Sequence, residues 1–512
     1  PWGVKREALV SEGGTNWRRD SNLSWDIKWE TVTKQYDGYT LTEAKIPLAF
    51  LNYPDGSSLW GFNMYRFDTQ TNERSSWGQV PQNQSVVNLA FMGDLQFEKP
   101  LPKSKIPWAF IPFVAGINAN DFENKDQFSS LSFGGDIKVP INNGLNLDLT
   151  FNPDFSQVEV DDQVINLTRF EVRLPEKRQF FIQNSDLFAN FGSSYNSQPF
   201  FSRRIGVAED KDGNTIQNRI ITGARLSGKV NPNLRVGFLN MLTEADETNE
   251  IASNNNTVLT LQQKVFSRSN ISMIFVNRQT VGSYDFIAED ERYNRVAGVD
   301  YQLASKDNRW TGRTWLHQSF EKNGGSDNKS WGFRLNRNTR NYEITESTGG
   351  IGENYNADLG FVRRKGNYQN FTKYTRKFYP KAGGINTWNL TLQVYSLWKP
   401  SDDFRLTDNS LNLESQIRFE NQSRIDIEAS NRYVYLYDSF DPTGLNENNP
   451  LPGDTEYNYR SLKIQYNSDQ RKRFNFRLEP DFGQFFNGHK YSIKSDFNYR
   501  IQPYFQDSLK FN

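Results

Sequence analysis

Cysteine is absent from the 512 residues, and histidine occurs only twice, at His317 and His489. Without cysteine there is neither a disulfide framework nor a thiolate metal site. Two histidines far apart in sequence argue against a histidine zinc site or a Ser-His-Asp triad, and the simplest role for each is a polar strand or turn residue. Charge of one sign is missing too. Sixty basic and 60 acidic residues cancel, which removes the electrostatic ground for a nucleic-acid partner. No run of about twenty apolar residues occurs, so no membrane-spanning helix is expected. The opening "PWGVKREALV" is not a signal peptide.

Aromatic rings are abundant instead: 39 Phe, 23 Tyr and 12 Trp, 14% of a chain that is polar on average. The length exceeds one ordinary core, which implies two or more domains or one large barrel. Strand signals run from end to end. "NSLNLESQIRFE" sets Leu411, Leu413, Ile417 and Phe419 on one face, and Asn412, Glu414, Gln416, Arg418 and Glu420 on the other. "SRIDIEASNRY", "RFNFRLEP" and "NTWNLTLQVYSLWKP" repeat the scheme. Turns rich in Gly, Asn, Asp and Pro separate them, and helical periodicity is nearly absent.

An apolar and aromatic face opposite a charged face suits a soluble sandwich or a membrane barrel with a hydrated lumen. Three features favour the barrel. Hairpin-ordered strands continue over some four hundred residues, more than one sandwich needs. Aromatic residues gather at strand ends (Phe378, Tyr379, Trp398, Tyr433, Tyr435, Tyr437), as interfacial girdles require. Long polar connections such as "TEADETNEIASNNN" alternate with short ones. A β-propeller would show a blade-length repeat, and none is found. The first hundred residues have a more compact aromatic pattern, and "EKPLPKSKIP" interrupts pairing with proline. The expected organisation is therefore a small β-sandwich over 1–97, a linker over 98–107 and a barrel over 108–512.

The segment "NPDFSQVEVDDQVINLTRFEVRLPEKRQFFIQNSDLF" (152–188), followed by "PFFSRRIG", resembles a family of large Gram-negative outer-membrane proteins. In that family a family-9 carbohydrate-binding-module-like (DOMON-like) sandwich precedes a C-terminal domain of unknown function taken to be an outer-membrane barrel. "WDIKWE", "GYTLTEAKIPLAFL", "WGFNMYR" and "ERSSWG" match the sandwich signature. The resemblance implies an all-β protein: a large antiparallel outer-membrane β-barrel preceded by a partial β-sandwich. Family sandwiches begin earlier, and "YFQDSLKFN" lacks the usual terminal aromatic strand, so the chain is expected to be a portion of a longer protein.

Segment 152–188 packs acids against bases and ends on "FFI". Three kinds of chemistry compete for it. Glycoside hydrolysis would need two spaced carboxyls, such as Asp161 with Glu176 or Asp154 with Glu171, but nearly equal numbers of bases suggest neutralising pairs. Calcium could take oxygens from Asp154, Glu159, Asp161 and Asp162, although the glycine turn of a regular calcium loop is missing. The structural reading fits best: 152–188 as an internal or rim element of the barrel. Phe180 and Phe181 would then be buried, Glu176, Lys177 and Arg178 would pair with the wall, and Glu171 would belong to the same structural motif. Arg203 and Arg204, at the start of a following strand, would supply partners. In the sandwich, Trp25, Trp29, Trp60 and Trp77 are candidates for sugar stacking.

The expected function is non-enzymatic: an outer-membrane barrel with a periplasmic sandwich, acting in transport, scaffolding or assembly of an envelope complex. Its partners would be outer-membrane lipid, other envelope proteins and glycan, with no cofactor other than a candidate calcium ion. The alternative is a carbohydrate-binding or carbohydrate-processing surface protein, glycosidase-like by family label, which as an enzyme would hydrolyse O-glycosyl bonds.

Overall fold

The computed structural model describes residues 5, 7–10, 21–22, 27–51, 53–68, 73–103, 108–121, 126–153, 171, 173–174, 176–193, 196–442, 450–501 and 504–511. The fold is all β. Nineteen strands, from Ala109–Asp121 to Phe505–Phe511, form one antiparallel meander in which each strand pairs with the next strand of the sheet along the chain. Helix is confined to single turns, and among the described residues no helix is long and apolar enough to cross a membrane.

Register explains why the sequence alternates as it does. Tyr374 faces Leu392, Leu392 faces Leu413, and the ladder continues through Ala429, Leu462 and Phe482 to Tyr491. One residue along, Thr375, Thr391, Glu414, Glu428, Lys463, Asp481 and Ser492 make the matching ladder on the opposite face. Side chains alternate with a period of two, so a slip of one residue would exchange the two sets. A second apolar ladder, Leu261–Met273–Val299–Leu316–Trp331, crosses five earlier strands. Every member of it is exposed. In the first ladder only Leu462 is half-buried, while Leu413 is 55% and Tyr491 79% exposed.

On the other face, the strands between 220 and 304 depart from the expected charged surface. Leu239, Val258, Val276 and Val296 pair across four strands and are buried, joined by Met241 and Ile274. The reason is a second layer. Phe181, Leu187, Phe188, Phe200, Ile205, Tyr355 and Leu359 pack onto this patch, so these strands are buried on one face and apolar on both. The near-continuous apolar runs "RVGFLNML" and "ISMIFV" carry that signal in the sequence.

The connections differ between the two ends of the sheet. One end carries 232–233, 266–268 and 339–341; the other carries 244–253, 281–292, 352–366 and the long excursion 152–219. The buried layer comes from two of these longer connections, 152–219 and 352–366. They meet where Ser197–Gln198 pairs with Phe361–Val362.

Before residue 98, the described strands pair only two by two: Leu9–Val10 with Ser21–Asn22, Glu30–Tyr36 with Tyr39–Lys45, Leu59–Phe62 with Gly93–Gln96, and Tyr65–Asp68 with Glu73–Ser76. The sandwich expected over 1–97 is thus represented among the described residues by four two-stranded ladders. This region touches the short-connection end of the sheet. Asn83 and Asn338 exchange side-chain to backbone-carbonyl hydrogen bonds, the Gln84 amide donates to the Asn308 carbonyl and accepts from the Asn308 side chain, and Asn143 bonds Asp55.

Candidate functional site

Asn152 marks where the excursion leaves the sheet. Its backbone adopts φ +46°, its amide donates to the Phe133 carbonyl (2.6 Å), and its side-chain oxygen accepts from Arg219 at the point of return (2.7 Å). The four candidate calcium ligands Asp154, Glu159, Asp161 and Asp162 lie outside the described residues, as does Trp25. Among the described residues no group of three or more His, Asp or Glu is placed to hold a metal ion.

From Glu176 onward the excursion is held by its own charges. Arg178 spends its planar fork on four acceptors: Oε1 of Glu176 (2.9 Å), Oε2 of Glu176 (2.7 Å), the Ser202 carbonyl (2.6 Å) and the Ile205 carbonyl (2.7 Å). Ser202 Oγ donates to Glu176 Oε2 (2.6 Å), and the guanidinium lies 4.4 Å from the Phe181 ring centroid. Only a guanidinium can serve so many acceptors in one plane. This corrects the expectation that Glu176 and Arg178 pair with the wall; they pair with each other. Lys177 is half-buried beside them, its backbone N–H donating to Glu176. Arg203 and Arg204 do not open a strand but sit on the 3₁₀ turn Ser202–Arg204. Arg204 bonds Glu171 (2.6 Å) and the Gly360 carbonyl, tying the two infolded connections together. Phe181 is buried and Phe180 half-buried.

Burial pushes the Glu176 carboxyl up, but hydrogen bonds and charge from Arg178, with Ser202, outweigh it and hold the group below its ordinary value of 4.5. A carboxylate held ionised is the reverse of what a general acid needs. Because the folded value is depressed, this stabilisation is fully present above pH 4.5 and is lost as pH falls through the lowered value. Heat-melting followed from neutral to strongly acid pH is therefore expected to show an acid limb that Glu176→Gln lacks, its stabilisation being gone at every pH.

The wall contributes residues that the sequence analysis did not single out. Arg235 grips Asp186 with two bonds, 2.7 and 3.1 Å. Arg225, 1% exposed, donates to the Phe180 carbonyl (2.9 Å), lies over the Phe188 ring and stands 3.8 Å from Asp148, its cross-strand neighbour. Arg313 donates to Gly192 and Asn190, and Arg278 bonds Asp358 (2.6 Å). The available signal was a lone arginine inside an otherwise uncharged stretch, as in "ITGARLSG" and "WTGRTWLHQ".

His317 is fully buried. Its Nε2 lies 2.7 Å from Asp300 Oδ1, and a carboxylate can only accept, so Nε2 carries the proton. The other oxygen of Asp300 accepts from the Gly192 amide (2.8 Å). Gly192 has φ +62°, and a Cβ there would lie 2.4 Å from the Ser197 carbonyl and 3.0 Å from the imidazole, so glycine is required. Ser330 faces His317 across the strands, which assembles the residue types of a hydrolytic triad. The wiring is not that of a triad. Ser330 donates to Ser197 (3.0 Å), His317 Nδ1 has no partner among the described residues, and the infolded layer covers all of them. Asp300 and His317 position the 190–193 turn.

The remaining tryptophans are dispersed. Trp29 bonds Glu7, Trp60 packs between Tyr53 and Phe97, and Trp77 is 53% exposed, resting on Gly93 with Phe62 at its edge. The structure does not gather them into one sugar-binding face.

No curated protein matches this chain. A family model does match, over residues 106–512, which covers the whole nineteen-stranded sheet and both infolded connections. The chain belongs to the family described as Domain of unknown function (DUF5916).

Proposed function

We propose that the chain is an outer-membrane β-barrel whose lumen is closed by a plug, made of the infolded segments 176–206 and 353–363, and that it conducts or carries solutes when the plug moves. The carrying observation is the pair of register-matched ladders: apolar residues on one face, exposed at every position but Leu462, and charged or polar residues one position along on the other. Soluble monomers rarely expose an apolar patch beyond a few hundred Å², and lipid is the solvent that removes the cost of this one. The aromatic pattern supports it. Trp388, tilted against Phe378, and Trp398, beside Tyr368, lie ten positions apart on one strand (398 − 388). At about 3.3 Å per residue and a tilt of about 40°, that spans roughly 25 Å of height, the apolar band of such barrels.

Closure is supported by the strand order, in which the last strand is neighbour to the first. An odd number of strands closes through one parallel pair, an uncommon arrangement for bacterial barrels. Short connections on these proteins face the periplasm, so the region before residue 98, bonded to that end, would be periplasmic. The test is conductance in planar bilayers. The protein is expected to insert, stay mostly closed and open in brief steps; continuous large conductance, or no insertion, would overturn the reading.

A second reading keeps carbohydrate binding in the N-terminal region, and the exposed ring of Trp77 favours it. Trp77→Ala in the full chain is expected to abolish binding on a glycan array; unchanged binding, or none in the parent, would remove this role.

A further inference from the structure

At the long-connection end, a cavity of about 400 Å³ opens between the plug's return and the wall. That volume lies within the usual range for small-molecule sites. Arg364 and Lys365 come from the return, Lys399 from the end of strand Ile385–Lys399, and Tyr437, Asp438 and Phe440 from the connection after Arg424–Leu436. Three cations thus meet one carboxylate. Arg364 is already bonded to Asp408 (2.6 Å). Among the described residues Lys365 has only the neutral Asn356 amide oxygen (2.9 Å), and Lys399 lies 4.3 Å from the centroid of the Tyr437 ring, within Coulombic reach of Asp402. A cation over a ring face is attracted without being neutralised, and Asp402 is itself bonded to Arg405 (2.6 Å), so both ammonium groups remain open to a ligand.

The wall is firm enough to be a site. Phe440 and Leu451 exchange backbone bonds (3.0 and 2.8 Å), and the Tyr437 hydroxyl donates to Asp402 (2.9 Å). Asp438 sets the other requirement. Its carboxylate can accept hydrogen bonds from hydroxyl groups and would repel a second anionic group, so the favoured ligand carries one anionic end and a polyhydroxyl body. The Phe440 ring offers that body an apolar surface.

We propose that this cavity binds a monosaccharide-sized anion, a sugar phosphate or sugar acid, at the mouth of the lumen. The site rests on the plugged-barrel reading for its place at the mouth, but its binding does not require the plug to move. The experiment is titration calorimetry on the full chain in detergent with glucose 6-phosphate, glucuronate, glucose and inorganic phosphate. The two sugar anions are expected to bind at least tenfold more tightly than glucose or phosphate, more weakly as salt rises. Lys365→Gln with Lys399→Gln is expected to lower sugar-anion affinity at least tenfold while the far-ultraviolet circular dichroism and melting stay those of the parent. Equal binding by parent and variant, phosphate binding as well as the sugar anions, or no binding by any probe would each overturn the proposal. None of those results would alter the conductance expected of a plugged barrel, so the two claims fail separately.

Discussion

Arginine in place of Leu413 is expected to cost the membrane-inserted fold about 2–4 kcal/mol, the range for a midplane cation on the lipid face of such barrels. Arginine in place of Glu414, the next residue, is expected to cost far less. Leu413 lies between Leu392 and Ala429 in the exposed ladder, so its two cross-strand neighbours offer a guanidinium no acceptor. Glu414 points to the opposite face, directly across from Glu428. Like charges opposed across strands are unfavourable, so a positive charge there turns a repulsive pair into an attractive one. Urea titration of folding into phospholipid vesicles, read by gel mobility, measures both. Equal costs would mean that the faces are assigned wrongly.

Breaking the Arg235–Asp186 grip is the second large effect. Both side chains are about nine-tenths buried, and removing one partner of such a pair leaves an uncompensated charge, at about 3–5 kcal/mol. Asp186→Ala and Arg235→Ala are each expected to destabilise plug docking by that amount, and the double variant by clearly less than the sum. The plug should not leave altogether. Phe181, Leu187, Phe188, Phe200 and Ile205 remain buried, and at about 1.5–3 kcal/mol each they contribute on the order of 10 kcal/mol together. The expected phenotype is longer and more frequent open steps in planar bilayers, with a lower melting temperature. Additive costs with unchanged conductance would show that the pair is incidental to closure.

The sheet was legible because its signal is local. Period-two alternation in "NSLNLESQIRFE" needs only neighbouring residues, and the strand Arg405–Phe419 contains all of it but Glu420. The infolded layer was only half legible. Segment 152–188 stood out because its charge pattern breaks the alternation. Its partner 353–363 carries no such anomaly, since what recruits it is distant: Arg204 to Gly360, and Phe201 to Leu359. Glu176 and Arg178 were read as reaching for the wall. Two residues apart on an extended chain, they instead close on each other, helped by a serine 26 positions away. His317 looked like an ordinary strand histidine because its significance lies in the Asp300 beside it and in the glycine that Asp300 holds.

Because the chain has no cysteine, single cysteines can carry a nitroxide spin label without background. Labels at 392, 413 and 482 sample one ladder, and labels at 391, 414 and 481 the other. In phospholipid vesicles the first set is expected to collide with oxygen and be shielded from a water-soluble nickel chelate, and the second set is expected to show the reverse preference or shielding from both. High nickel accessibility at 392, 413 and 482 would place water on the apolar face and contradict the membrane barrel outright.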